Sequence, residues 1–393
     1  MEYTQERIAT LHQLTSGPVG FDGLEGILEQ TAIVVPMTDR EQESPAAAGV
    51  LSALETLEPE PAAVIVPVRA DSDTIEPFRE WLESFSLPIH VRWCTAPAVD
   101  TLLGKHDLEG AYGKGRDVWL ALGEAADEAE YVVVHDADAA SFRADHIARL
   151  LAPLSMGYCF SKGYYARVED GNLYGRLCRL FYEPMVRTLQ DSHDDPLLSY
   201  LAAFRYALAG EFAMTAELAR TLRPPRTWGL EVATLGDAYS FAGFDGTAQV
   251  DLGVHQHDHR PVSGSGGLES MSQEVARTLF AVIESSGVDI EYETLASRYL
   301  SRAESLVEQY EADAIFNGLA YDPGDEQTQI QRYAGAITEL FPSGTESRGE
   351  RPRLEAASHE RLPAWRETPF GSDAVRAAST PWQAPLSEPT TQD

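Results

Sequence analysis

The run Tyr131-Val132-Val133-Val134 restricts the fold of this chain more than any other stretch. It is too short for an ordinary helix and carries no polar alternation. That pattern suits a strand covered on both faces, as in a parallel sheet. The residues that follow, His135-Asp136-Ala137-Asp138, put two carboxylates one residue apart at the strand's carboxyl end. In extended backbone both would point to one side, because side chains repeat every second residue. Such a pair can grip a hard cation, whose bound diphosphate neutralises the remaining charge.

Two comparable runs precede it, Ala32-Ile33-Val34-Val35, stopped by Pro36, and Ala63-Val64-Ile65-Val66, ended by Pro67, and Ile89-His90-Val91-Arg92-Trp93 reads as a third strand. Helices are predicted between them over Ser44–Leu57, Asp73–Phe85 and from Gly113 to about Glu124. Strands alternating with helices predict an α/β, Rossmann-like fold with a mostly parallel central sheet. Pro36 and the Asp pair fall at strand ends, the usual binding edge of such a sheet.

The second half is mixed. An aromatic-rich strand is predicted around Tyr158-Cys159-Phe160 and Tyr164-Tyr165, then a helix over Tyr174–Leu189 and a short strand over Leu208–Met214. Helices start at Ala216 and at Trp228-Gly229-Leu230-Glu231, and Ala248–Leu252 reads as a late strand. Residues 1–30 read as a short amphipathic helix and a glycine-containing loop, and 266–341 as helical, with periodicity over Met271–Glu284 and Tyr292–Asn317. Residues 342–393 are rich in Pro, Ser, Thr, Glu and Arg and are predicted to be a largely disordered acidic tail.

The formal charge is -32, and Lys105, Lys114 and Lys162 are the only lysines. A carboxylate-rich, lysine-poor surface suits concentrated salt, where repulsion is screened, and predicts a halophilic protein. It argues against nucleic acid as a partner. Cys94, Cys159 and Cys178 are odd in number and lack metal-ligand spacing, which fits a reducing cytoplasm. The amino terminus has acids where a signal peptide needs bases, and no apolar run is long enough to span a membrane.

Two of the three lysines stand in glycine-marked motifs, Gly113-Lys114-Gly115 and Ser161-Lys162-Gly163-Tyr164-Tyr165. Glycines before a helix allow close approach to a phosphate, and lysine adds a point charge; an ordinary helix-entry turn has the same signature. His255-Gln256-His257-Asp258-His259 spaces histidines by two, so they share a side of an extended segment and can bind metal, or form a polar loop. Arg176, Arg179 and Arg187 suit carboxylates or phosphates, or salt bridges to an acidic surface. Glu211 and Glu231 can accept hydrogen bonds from sugar hydroxyls, or serve as helix N-terminal acids.

In combination these stretches resemble the glucosyl-3-phosphoglycerate synthases, retaining glycosyltransferases of the GT-A fold. The likeness runs from about Ile33 to Val288. It is carried by Val35-Pro36, Gly113-Lys114-Gly115, Asp136-Ala137-Asp138, Lys162-Gly163-Tyr164-Tyr165, Gly175-Arg176, Ala209-Gly210-Glu211, Trp228-Gly229-Leu230-Glu231 and Gln249–Val254 leading to His257. The resemblance implies a GT-A domain over 31–265, with a nucleotide-sugar half (31–140) and an acceptor half (141–265), followed by C-terminal helices and homodimerisation through them. It implies Mg²⁺ or Mn²⁺ held by Asp138 and His257 with Asp136 beside them. It implies a nucleoside-diphosphate sugar donor contacted by Pro36, Met37, Thr38, Asp39, Lys114, Gly210, Glu211, Trp228 and Glu231. It implies a small phosphorylated acceptor met by Gly175, Arg176, Leu177, Cys178, His255 and His259. Asp136, Asp138, Lys114 and Glu231 would carry the catalysis, with glucose passing to 3-phosphoglycerate for compatible-solute synthesis.

Three places depart from the family pattern: the stretch Pro36-Met37-Thr38-Asp39-Arg40-Glu41, where the family usually has Asn followed by acids, Cys178 in place of a threonine, and His255 in place of an arginine. Met214-Thr215 is similar to the mannosyl-3-phosphoglycerate synthases. Mannose as donor, another acceptor, or a nucleotide-sugar-binding protein without turnover are the alternative readings.

Overall fold

The structure, a computed structural model, describes residues 6–14, 23–257, 267–341 and 361–382. Ten strands form one sheet: β1 (Ala9–Leu11), β2 (Thr31–Val34), β3 (Met37–Thr38), β4 (Ala63–Arg69), β5 (Ile89–Trp93), β6 (Tyr131–Val134), β7 (Phe160–Glu169), β8 (Asn172–Leu173), β9 (Phe212–Thr215) and β10 (Thr247–His255). The order is β1-β10-β7-β9-β6-β2-β4-β3, with β5 also paired to β4 and β8 folded back on β7. The expected mostly parallel sheet is what forms. Within that path β9 alone runs against its neighbours, β6 and β7. The residues that lead into β9 therefore arrive at the edge where β2, β6, β7 and β10 end.

The absence of alternation in these strands has a direct cause. The helix Lys114–Glu128 covers one face over β2 and β4, and the helix Asp145–Ser155 covers the other over β7, β9 and β10. Val132, Val133 and Val134 are wholly buried, each worth about 1.5–3 kcal/mol against exposure.

β4 continues past Pro67, where the sequence predicts its end. Val64 donates to Pro88 and Val68 accepts from Cys94 on the β5 side, whereas Ile65 accepts from Val35 on the β2 side. By alternation the missing N–H of Pro67 faces the break between β2 and β3, where no partner is required.

Three further expectations are corrected. The amino-terminal segment forms an edge strand, β1, parallel to β10, with one helical turn at Glu25–Leu28 in place of the amphipathic helix. Ile8 and Thr10 are buried against a partner 239 residues away (Thr10 with Gln249), which local periodicity does not reveal. The predicted helix over Tyr174–Leu189 begins as a π-helical stretch, Leu177–Tyr182, before the α-helix Glu183–Gln190. Pro184 has no N–H for the Leu180 carbonyl, which accepts from the Tyr299 hydroxyl at 2.5 Å instead.

The third correction concerns the tail. Residues 361–382 are packed on the domain, with a helix at Ser372–Ser379. Trp365 stacks on Trp119 at 4.9 Å between ring centroids, and Trp119 Nε1 donates to the Pro363 carbonyl at 2.8 Å. Arg361 forks onto Asp237 at 2.7 and 2.6 Å, and the Leu362 N–H donates to Pro224 at 2.9 Å. Isolated aromatics among polar residues give no periodic signal, yet each finds a pocket here. Residues 342–360 and 383–393 lie outside the described residues.

The helices Gly267–Ser285, Tyr292–Phe316 and Pro323–Leu340 pack on one another beyond the sheet. No helix among the described residues is long and apolar enough to cross a membrane.

Candidate active site

The carboxyl ends of β6 and β10, the approach to β9 and the start of the helix Lys114–Glu128 converge on one cluster. Lys114 Nζ lies 2.7 Å from Asp136 Oδ1 and 3.0 Å from Glu231 Oε1. Burial lowers the lysine's pKa, but the two carboxylates outweigh it and the ammonium is held charged. Burial likewise raises the Asp136 pKa, and Lys114 more than reverses it, so Asp136 stays ionised. Asp138 has no such partner; burial and the charge of Asp136 raise it above the usual carboxylate range.

The local backbone explains these positions. His135 Nδ1 donates to the Asp136 carbonyl at 2.7 Å, fixing the turn after β6. Gly210 admits Asp136: a Cβ there would sit 2.1 Å from Asp136 Oδ2. Ala139 and His257 form an antiparallel bridge, and the Ala140 N–H donates to Gln256 at 2.8 Å. The segment after β10 is thereby stitched to the acidic turn.

The glycines of Gly113-Lys114-Gly115 serve protein packing. A Cβ on Gly115 would stand 1.9 Å from the Pro225 carbonyl, and one on Gly113 would stand 2.7 Å from Thr227 Cα. The Arg116 N–H donates to the Arg226 carbonyl at 2.8 Å. The start of this helix is covered by Pro225–Thr227, and only the lysine side chain reaches the cluster.

Several buried polar atoms here have no partner: Asp138 Oδ1, both Glu211 oxygens, both His255 ring nitrogens and His257 Nδ1. Glu211 and His255 are fully enclosed and stand 4.0 Å apart. The His255 ring stacks on Tyr165 at 4.0 Å and meets His257 edge-on at 4.5 Å. Burial, with Arg167 nearby, drives the His257 pKa down to about 3, so its imidazole is neutral at physiological pH. An open carboxylate oxygen and a neutral imidazole nitrogen are ligands that Mg²⁺ or Mn²⁺ accepts. By donor type Asp138 and His257 suit such a metal, whereas Asp136 is engaged by Lys114. The ligand atoms of these three do not all lie within 4.8 Å of one another. Among the described residues only His90, Glu124 and Glu128 meet that spacing, three turns along the helix from Lys114 and against Arg92.

The remaining sequence-predicted residues are placed as follows. Met37 is buried, Thr38 is capped by Glu41 at 2.6 Å, and the Thr74 hydroxyl donates to Asp39 at 2.5 Å; all follow Pro36 at the end of β2. Trp228 is exposed, beside the left-handed Gly229 that opens the helix Leu230–Ala242. Glu231 sits in the first turn of that helix, whereas Glu211 precedes β9 and belongs to no helix.

Gly175 packs against the Tyr206 hydroxyl, which leaves no room for a side chain. Arg176 is drawn away to Glu326 at 2.7 Å, and Arg179 joins the same carboxylate at 3.0 Å. Leu177 and Cys178 begin the π-helical stretch, with burial pushing the Cys178 thiol up to about 12. His259 lies outside the described residues.

Sequence reasoning missed Arg167 and Tyr206. Arg167 stands opposite His255 in the sheet register, hydrogen-bonded to Tyr206. The available signal was the two-residue repeat from Tyr165 along β7.

No protein-family model matches the chain. It is 32% identical over 357 residues to the glucosyl-3-phosphoglycerate synthase of Methanococcoides burtonii, covering 86% of this chain and 88% of that protein. The enzyme of the same description from Persephonella marina is 33% identical over 321 residues, covering 78% and 79%. Among solved structures, the Mycobacterium tuberculosis glucosyl-3-phosphoglycerate synthase with Mn²⁺, uridine diphosphate and phosphoglyceric acid superposes with a TM-score of 0.55. That match has 22% identity and covers 72% of this chain and 88% of the other. The same enzyme has been solved with Mg²⁺ and uridine diphosphate. The shared architecture is the GT-A fold.

Proposed function

The chain belongs to the glucosyl-3-phosphoglycerate synthase family, and on that premise we propose that it transfers glucose from a nucleoside-diphosphate glucose to 3-phosphoglycerate with retention of anomeric configuration. The observation that carries this reading is Lys114 clamped between Asp136 and Glu231, beside Asp138 Oδ1, the Glu211 carboxylate and His257 Nδ1, which have no hydrogen-bond partner. A charged lysine and an open acidic turn at the sheet's binding edge suit a sugar diphosphate.

Asp138 and His257 would hold Mg²⁺ or Mn²⁺, which when bound offsets the charge of the leaving diphosphate. Lys114 contributes a fixed cation on the donor, and its own charge is secured by Asp136 and Glu231. Glu211, buried with both oxygens free of partners, is suited to accept hydrogen bonds from sugar hydroxyls. Glu231 orients Lys114 and the donor sugar. Pro36–Asp39 and Trp228 would border the nucleotide, and Gly210 keeps the wall close to Asp136. His255, Gly175, Arg176, Leu177, Cys178 and His259 would border the acceptor. In a front-face transfer the departing diphosphate takes the acceptor's proton, so no further protein base is required.

A cytoplasmic, high-salt setting and a homodimer complete the reading; the three cysteines are free thiols and the net charge is -32. The test is transfer in high salt with Mg²⁺, crossing nucleotide-linked glucose and mannose with 3-phosphoglycerate and glycerate. A phosphorylated, anomer-retained glucoside that disappears in Asp138→Ala is the expected product. Turnover of mannose alone, or full metal-dependent activity in Asp138→Ala, overturns the assignment.

A further inference from the structure

Lys162 is the second lysine at this edge of the sheet, and the chemistry above leaves it without a role. It is buried on β7, with Nζ donating to the Ala209 carbonyl and lying 5.2 Å from the centre of the Phe212 ring. Glu231, Glu211, Lys114 and Asp136 surround it at longer range, with no carboxylate within ion-pair distance among the described residues. Burial depresses its pKa to about 8 against the pull of the two glutamates. An enclosed ammonium without a bonded carboxylate is costly, and an apolar chain of the same shape would avoid that cost.

What Lys162 holds is the approach to β9. Its neighbour Gly163 donates to the Glu211 carbonyl at 2.9 Å and leaves room for the Glu211 Cβ, which would stand 3.2 Å from a Cβ at that position. Lys162 and Gly163 thus grip Ala209 and Glu211, on either side of Gly210. That glycine is the residue whose backbone presses on Asp136.

We propose that Lys162 is a positioning residue for the donor half of the site: by tethering the Ala209 carbonyl it fixes the Ala209–Glu211 wall, and through that wall the places of the Asp136 and Glu211 carboxylates. The inference rests on the donor site proposed above. A merely structural lysine would raise stability; a lysine kept for function does not.

The test compares the full-length protein with Lys162→Met and Lys162→Gln in high salt with Mg²⁺, measuring melting temperature and steady-state kinetics with UDP-glucose and 3-phosphoglycerate. Methionine is expected to melt no lower than wild type, while kcat/KM for UDP-glucose drops about tenfold or more and the KM for 3-phosphoglycerate stays within about twofold. Glutamine, which keeps an N–H donor, should retain more donor-side activity than methionine. A methionine variant that unfolds or melts several degrees lower overturns the proposal, as do equal kinetics in the two variants or a loss confined to the acceptor. Wild-type turnover in the same assay judges the proposed function separately. If wild type is silent, UDP-glucose binding by calorimetry replaces kinetics, and variants that bind like wild type overturn the role of Lys162.

Discussion

Replacing Gly210 by alanine perturbs the site where its backbone presses on Asp136. The new methyl would lie 2.1 Å from Asp136 Oδ2 and 2.6 Å from its Cγ, where ordinary contact begins near 3.4 Å. Something must yield by about 1 Å, and the backbone angle of Gly210 is not what forbids the change; space is. If Asp136 yields, its 2.7 Å contact with Lys114 stretches out of hydrogen-bonding range. A charge-assisted bond is worth about 1.5–3 kcal/mol, and overpacking adds about 1–3 kcal/mol. If the wall yields, the tethers from Lys162 and Gly163 break instead. On either route we expect a loss of about 3–5 kcal/mol, hence a melting temperature lower by about 5 °C or more. Turnover should drop about 100-fold, because on the proposed reading the displaced carboxylate anchors the lysine that meets the donor. Thermal melts in high salt and transfer kinetics with UDP-glucose and 3-phosphoglycerate measure both. A variant melting within about 1 °C of wild type with unchanged kinetics would refute the packing argument.

Lys114→Met leaves Asp136 and Glu231 without their shared cation, so stability should fall by about 3–5 kcal/mol and turnover by about 10²–10³-fold. Without Lys114 to hold its pKa down, Asp136 protonates more readily, so the stability loss should shrink at acid pH, which denaturant melts at pH 5 and 8 would register. Asp117 is buried, and burial raises its pKa to about 6 against the guanidinium groups of Arg69 and Arg116. Its folded pKa exceeds the ordinary value, so its favourable contribution is full below about 4 and is lost as pH rises through about 6. Asp117→Asn should therefore gain on wild type across that window, by at most about 3 kcal/mol; a gap independent of pH would exclude this. Trp365→Ala opens a cavity beside Trp119 and should cost about 3–5 kcal/mol by calorimetry, whereas a freely hanging tail would cost nothing.

The central strands were legible because β2, β4 and β6 are covered on both faces, which writes a continuous apolar run into each, while β5 showed itself by alternation, Ile89, Val91 and Trp93 against His90 and Arg92. β1 was not, because its hydrogen bonds belong to β10 and its three residues have no period of their own. The tail was opaque for a related reason: Trp365 and Phe370 reach Trp119 and the helix around it from separate points along a polar chain. In the site, the Asp pair stood out by its place after β6 and Lys114 by the rarity of lysine. Composition could not say that Gly115 makes room for Pro225, nor that Arg176 is taken by Glu326, 150 residues further on. Arg167 escaped because an arginine in so arginine-biased a chain carries little information by itself.

The packed tail also sets an order of events during synthesis. Arg361 and Leu362 back the loop on which Gly113 and Gly115 rest, yet they leave the ribosome after every residue of the cluster. The acidic turn, the wall before β9 and the helix bearing Lys114 can all form while that loop still lacks its support. At the other end, β1 is made first and has no partner until β10 emerges. One margin of the domain is closed by a piece translated late and the other waits for a late partner, so a nascent chain holds the side chains of the cluster before their surroundings are complete.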